Sequence, residues 1–238
     1  MSEDTRKTKA LLRYFNLENN ILSLQKYNEK QRLAQIERLL KKGQKIAIVS
    51  DAGTPNVSDP GAFVIRNLID KCYSITPIPG PSAVTCLASI SGMLCNQFIF
   101  GGFFPKKKQH ATTMLESAEK LEIPLIFFET AKRLLGTLSY LNKHYHITDI
   151  CIGKELTKTY ETLHVASTIN DIQTALPETI KGEYCIAVKL KQNKNEKLEK
   201  MIQELQKLHL NGKQIKGLAA LLDIPKNNTY KRLMGAPS

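Results

Sequence analysis

The chain has 238 residues, of which 42% are hydrophobic and 24% charged, with a formal net charge of +12 at pH 7. That composition excludes an intrinsically disordered chain, no stretch approaches the roughly 20 apolar residues of a membrane span, and the polar opening "MSEDTRKTKA" lacks the apolar core of a secretory leader. The charge points to a polyanionic partner or an anionic surface, while the five scattered cysteines, none in a C-x-x-C pair, exclude a zinc ribbon and a disulfide framework and read mostly as buried thiols.

In chain order, the first periodic segment is Asn28 to Lys42. Leu33, Ile36, Leu39 and Leu40 share one helical face there, and Gly43 follows as a stop. "KIAIVS" (45–50) predicts a strand. The loop after it, "DAGTPNVSDPG", ends in Asp59-Pro60, which predicts a helix start with Asp59 as N-cap and Pro60 in the first turn. Val64, Ile65, Leu68 and Ile69 give that helix an inward face. "CYSITPI" predicts a second strand, "PGPS" a turn, Ser82 to Ser91 a helix, and "QFIFGGF" a third strand. Strands alternating with helices predict an α/β fold with a largely parallel sheet.

"FFPKKKQH" (103–110) interrupts the alternation and predicts a linker. Beyond it "PLIFFET", "ITDICIGKEL" and "KGEYCIAVKL" predict strands, and Ala131 to Tyr145 a helix with Leu134, Leu135, Leu138 and Leu141 inward. The organisation expected is an α/β domain over 1–103, a second over 104–192 and a helical tail over 193–238. In the tail, 195–210 predicts a lysine-rich amphipathic helix. Around Ile224-Pro225 two short helices would follow, with Ile215, Leu218, Leu221, Leu222, Tyr230 and Leu233 inward. Their rhythm fits either a helix-turn-helix or a small helical cap.

The loops after the first two strands carry the chemistry. In an open α/β sheet, ligands bind beyond the carboxyl ends of strands. Gly53 and Gly80 let a ligand approach the backbone, while Pro55, Pro79 and Pro81 fix the loop shape and remove N–H donors. Neither G-x-x-x-x-G-K-[ST] nor G-x-G-x-x-G is present, so a phosphate cradle is disfavoured. A proline-rich loop with carboxylates suits a neutral or cationic ligand whose hydroxyls and amino group donate hydrogen bonds.

Seven segments then occur in order: "SEDTRKT", "VSDAGTPNVSDPG", "PIPGPSAV", "FGGFFPKK", "FFETAKRL", "GKELTKTYE" and "KGEY". Together they resemble the ribosomal RNA small subunit methyltransferase I family of the tetrapyrrole-methylase superfamily. The resemblance implies a two-domain class III methyltransferase fold with a helical C-terminal tail, S-adenosyl-L-methionine as methyl donor, and 2′-O-methylation of a cytidine in 16S ribosomal RNA of the small subunit. It implies a cytoplasmic homodimer with no membrane association and no metal. Carried over residue by residue, it assigns cofactor contacts to Ala52, Gly53, Thr54, Val57, Ser82, Ala83, Glu129, Thr130 and Leu156. Asp51 or Glu129 would face the cationic sulfonium.

A ribose hydroxyl is a weak acid, so the reaction calls for a base or tight in-line placement. Asp51, Asp4, Asp59 and Glu155 are candidate bases, with Lys154 beside them; Asp59 also reads as a helix cap, and Lys154 and Glu155 as a cross-strand pair. Arg6, Arg133, Lys106 and Lys107 are candidate phosphate contacts. Two departures from the family pattern stand out. The family's opening hydrophobic strand and "PTPIGN"-type loop are expected ahead of "EDTR" and do not precede it here, which implies a late start codon or a truncated chain. "FFETAKR" replaces the usual "FYEAPHR", with Thr130 and Lys132 in place of Ala and His. The competing expectations are a tetrapyrrole methylase of the same superfamily and a non-catalytic RNA-binding remnant.

Overall fold

The computed structural model describes residues 1–93, 95–191, 214 and 217. The chain divides into two units, Met1–Leu190 and Lys191–Ser238. Apart from Gln214 and Gly217, which are helical, the predicted tail helices fall outside the described residues. In the first unit the order is α1 (Thr5–Tyr14), α2 (Glu29–Lys41), α3 (Ala62–Asp70), α4 (Ala83–Ile90), β1 (Ile99–Phe103), α5 (Lys108–Leu121), β2 (Leu125–Thr130), α6 (Ala131–His144), β3 (Ile147–Lys154), β4 (Thr162–Ala166), α7 (Ile169–Ala175) and β5 (Glu183–Leu190).

The five strands form one sheet in the order β1-β2-β5-β3-β4. Only β1 and β2 run parallel; β2–β5, β5–β3 and β3–β4 are antiparallel. The sheet is therefore mixed, which corrects the largely parallel expectation. The alternation that suggested parallel crossovers misleads because β5 inserts between β2 and β3 after the chain has turned back through α7.

Residue parity along the strands separates two packed faces. Leu125, Phe127, Ile150, Ile152, Ile186 and Val188 meet Leu115 of α5, Leu134, Leu138 and Leu141 of α6, and Ile172 of α7 in the main core. The opposite face offers Ile126, Cys151, Cys185 and Ala187 to Val84 and Leu87 of α4. Thus α4 lies on strands made much later in the chain, packing against β2, β3 and β5. A third, smaller core joins Leu24, Ile36 of α2, and Val64 and Leu68 of α3.

The first hundred residues depart most from expectation. Neither 45–50 nor 72–78 forms a strand among the described residues. Ile46 and Ile48 do turn toward the small core, but backbone pairing is confined to single bridges at Ser2, with Ser23 and with Val49. A strand needs a ladder, and one bridge supplies none. Helix α3 begins at Ala62 after Gly61, so Asp59 and Pro60 are neither its cap nor its first turn. Glu29 performs that capping from α2: Gly61 N donates to its Oε1 at 3.1 Å, and Phe63 N and Val64 N to its Oε2 at 3.0 and 3.3 Å. The negative carboxylate also suits the positive end of the helix. The outward-facing Leu135 and Ile69, 49% and 51% exposed, correct two expected core positions. Residues 108–121, read as linker and beyond, form α5.

Candidate functional site

The loop 51–59, the turn 79–82, the ends of β2 and β3 and the start of β5 enclose a cavity of about 650 Å³. That size lies within the range of small-molecule sites. Of the residues predicted from sequence, Asp51, Ala52, Gly53, Thr54 and Val57 line it from one loop and Ser82 and Ala83 from the next. Glu129, Thr130, Glu155 and Leu156 line it from the sheet.

The two loops are clipped together. Thr54 Oγ1 donates to Pro81 O at 3.0 Å, and Ser50 Oγ donates to Gly53 O at 3.2 Å. Gly53 sits at φ +70°, and a Cβ there would meet nothing closer than Pro81 O at 4.0 Å, so its backbone is open toward a ligand. Asn56, Ser58, Glu155 and Thr157 also hold positive φ without being glycine. For a β-branched residue such as Thr157 this is costly, and such strain concentrates where a chain is shaped for binding. An apolar side of the cavity comes from Val57, Leu156, Phe103 and Phe128, the last two edge-to-face at 5.6 Å.

The carboxylates differ sharply in how they are held. Asp51 pairs with Lys7 Nζ at 2.8 Å and accepts from Asp4 N at 3.0 Å; the contact raises the Lys7 ammonium's pKa. Glu129 is buried and fully engaged, accepting from Thr130 N at 2.7 Å and Thr137 Oγ1 at 2.6 Å and pairing with Arg133 at 3.0 Å. Its carboxylate thus locks the turn from β2 into α6 and is not turned to a ligand. Glu155 accepts from Glu183 N at 2.7 Å and pairs with Lys158 at 2.8 Å. The Lys158 contact holds the Glu155 carboxyl below its ordinary value, and Lys158 also reaches Glu183 at 2.8 Å.

Several predicted residues lie elsewhere. Asp4 and Lys154 are not part of the cavity lining. Asp4 caps α1 through Arg6 N at 2.9 Å and grips the Arg6 guanidinium with both oxygens, at 3.0 and 2.7 Å. That hydrogen bonding lowers its carboxyl to about 2, which makes it a poor proton acceptor. Lys154 stands in register with Thr162 and Tyr184. Arg133 is committed to Glu129 and to the Phe104 carbonyl at 2.5 Å. Lys106 and Lys107 are exposed just ahead of α5.

Sequence reasoning missed Lys7, Ser58, Phe103, Phe128, Lys158 and Glu183 as cavity residues. "SEDTRKT" and "KGEY" were the available signals. Asp59, in contrast, lines the cavity with no cap to serve.

Comparison with known proteins places the chain in a family. The model of the Tetrapyrrole (Corrin/Porphyrin) Methylases matches residues 2–173. The chain belongs to the tetrapyrrole methylase family. Within the family it is 35% identical over 188 residues to ribosomal RNA small subunit methyltransferase I of Bacillus subtilis (strain 168), covering 79% of this chain and 64% of that protein. It is 33% identical over 241 residues to the protein of the same name from Buchnera aphidicola subsp. Acyrthosiphon pisum (strain APS), covering 97% of this chain and 84% of the relative. Among solved structures, diphthine synthase superposes with a TM-score of 0.60 at 12% identity, over 76% of this chain and 72% of that one. The cobalamin biosynthetic enzyme cobalt precorrin-4 methyltransferase gives 0.55 at 12% identity, over 79% and 82%. These two establish the shared methylase fold. No helix among the described residues is long and apolar enough to cross a membrane.

Proposed function

We propose that the protein transfers a methyl group from S-adenosylmethionine to the ribose 2′-hydroxyl of a cytidine in 16S ribosomal RNA of the small subunit. One observation carries the reading: the segments that resemble the small-subunit RNA methyltransferase family, from "DAGT" to "KGEY", converge on one cavity. The name shared by the relatives at 33–35% identity supports the substrate.

The cavity's chemistry fits the methyl donor. Val57, Phe103, Phe128 and Leu156 supply apolar surface for an adenine ring. The end of α4 at Ser82 and Ala83 opens on the cavity, and a helix N-terminus suits the donor's carboxylate. Asp51 is the carboxylate best suited to a cationic centre: it is partly exposed and its Lys7 partner lies in solvent, whereas Glu129 is fully buried and held by Arg133. The proposed contacts are Ala52, Gly53, Thr54 and Val57 on one wall, with Thr130 and Leu156 opposite. Bound there, S-adenosylmethionine would supply an electrophilic methyl group on a positive sulfur.

Lys106, Lys107 and Lys108 support an RNA-facing surface. Three exposed cations at the start of α5, with no acid in its first turn, oppose the helix dipole. A polyanion would relieve that repulsion. Arg6, with 89% of its side chain exposed, is a further candidate contact. The RNA-binding tail, two lobes meeting near residue 103, a cytoplasmic setting and a second copy of the chain as partner belong to the same proposal.

The test is methyl transfer from labelled S-adenosylmethionine to purified small ribosomal subunits. Gly53→Arg, which sends a long cation into the cavity, should abolish transfer while leaving the circular-dichroism spectrum intact. Transfer to a tetrapyrrole in place of RNA would overturn the reading.

A further inference from the structure

We propose that the carboxylate of Asp59 is the proton acceptor for the hydroxyl methylated in this cavity, an assignment that rests on the methyl-transfer reading above. Six carboxylates line the cavity: Glu3, Asp51, Asp59, Glu129, Glu155 and Glu183. Four are occupied. Asp51 holds Lys7, Glu129 holds Arg133 and Thr137, and Glu155 and Glu183 share Lys158. A proton acceptor needs a carboxylate oxygen that no cation or amide already holds.

Asp59 carries no hydrogen bond or ion pair among the described residues. It stands half-buried between Ser58, whose φ is +73°, and the buried Pro60. Its charged surroundings come from every neighbouring element: Glu3 ahead of α1, Lys26 ahead of α2, Asp51 in its own loop, and Glu183 at the head of β5. Three of the four are negative. Burial first, then the Glu3 charge, pushes the Asp59 carboxyl up to about 6. A base poised just below neutral is still ionised at pH 7 yet binds a proton when one is offered, which is the favourable compromise for general-base catalysis. Glu3 also lacks a side-chain partner; its charge keeps Asp59 basic, so it acts through Asp59 as a positioning residue.

The step balances. The hydroxyl oxygen forms a bond to the methyl carbon as the carbon–sulfur bond breaks, and that bond's electron pair remains on sulfur, which becomes neutral. The hydroxyl proton passes to an Asp59 carboxylate oxygen and from there to solvent.

Single-turnover transfer to small ribosomal subunits, measured against pH with the full chain, tests the assignment. For the native chain the rate should climb about tenfold per pH unit below about 6 and level above it. Asp59→Asn should slow transfer by ~100-fold or more and remove the inflection, with calorimetric affinity for S-adenosylmethionine unchanged. Glu3→Gln should move the inflection to lower pH. An Asp59→Asn variant with the native rate and inflection overturns the proposal and leaves the functional reading intact. A native chain that methylates no ribosomal subunit overturns the functional reading. A carbon-13 carboxyl titration then decides Asp59 separately: a midpoint lowered by cytidine but not by 2′-deoxycytidine supports the role, and equal midpoints overturn it.

Discussion

Glu155 Oε1 occupies the space that a β-carbon on Gly182 would need: an ideal Cβ there lies 2.7 Å from that oxygen. Glu155 has little room to yield, because Lys158 and the Glu183 amide both hold it. Gly182 is also at φ +93°, a conformation that L-residues rarely adopt. Gly182→Ala should therefore lower stability by about 1–3 kcal/mol, read as a urea midpoint shift. Adding Glu155→Ala should recover the steric part and leave the backbone part.

Glu29 spans two helices with one carboxylate. Glu29→Ala would strip the acceptors from three amides at the start of α3. Two of those bonds are buried or nearly so, and the expected loss is about 2–3 kcal/mol by chemical denaturation. Glu29→Gln keeps one acceptor oxygen and loses the charge, and should cost about 1 kcal/mol.

Asp59 makes stability depend on pH in a defined direction. Its folded-state carboxyl is raised from 3.8 to about 6, so the folded chain binds that proton more tightly than the unfolded one. The penalty is absent below 3.8, grows as pH rises to about 6 and is constant above. Asp59→Asn should melt higher than the native chain at pH 7, by about 1 kcal/mol once solvent screening of a half-buried site is allowed for. The two melting curves should converge as pH falls through 4. A variant that is more stable and less active is the pattern expected of a strained functional group.

The cysteines divide by environment. Burial pushes the Cys151 thiol up to about 11 and the Cys185 thiol up to about 12, whereas Cys72 is exposed. The thiolate is the reactive species. At pH 8 an aromatic disulfide reagent should modify Cys72 within seconds to minutes and reach Cys151 and Cys185 only as the sheet unfolds. Mass mapping of the labelled peptides checks this.

What the sequence showed and what it hid follow from range. Helices α2 and α6 were legible because their apolar residues recur on one face, and β2, β3 and β5 because they are continuous apolar runs. Strand β4 was not: Leu163 and Val165 point outward, 41% and 57% exposed, while His164 is half-buried, so its period is right and its phase misleads. The run 45–50 reads as a strand locally, yet a strand exists only when another segment pairs with it. The loops of the candidate site were legible through ordered motifs. The partner of Asp51 was not, because Lys7 lies a whole small core away in sequence and nothing beside either residue announces the pair. Asp59-Pro60 carries a genuine capping signature, and Glu29, from another helix, took the role.

The position of α4 has a temporal consequence. Its buried face, Val84 and Leu87, is covered by β2, β3 and β5, and the first residues of α4 are also a wall of the cavity. While the chain is being synthesised, that helix must wait, uncovered, until the last strand of the unit has been made. Contacts so distant in sequence form late and slowly. A nascent chain halted before Glu183 would therefore hold every residue of the 51–59 loop and still lack a place for a ligand to sit.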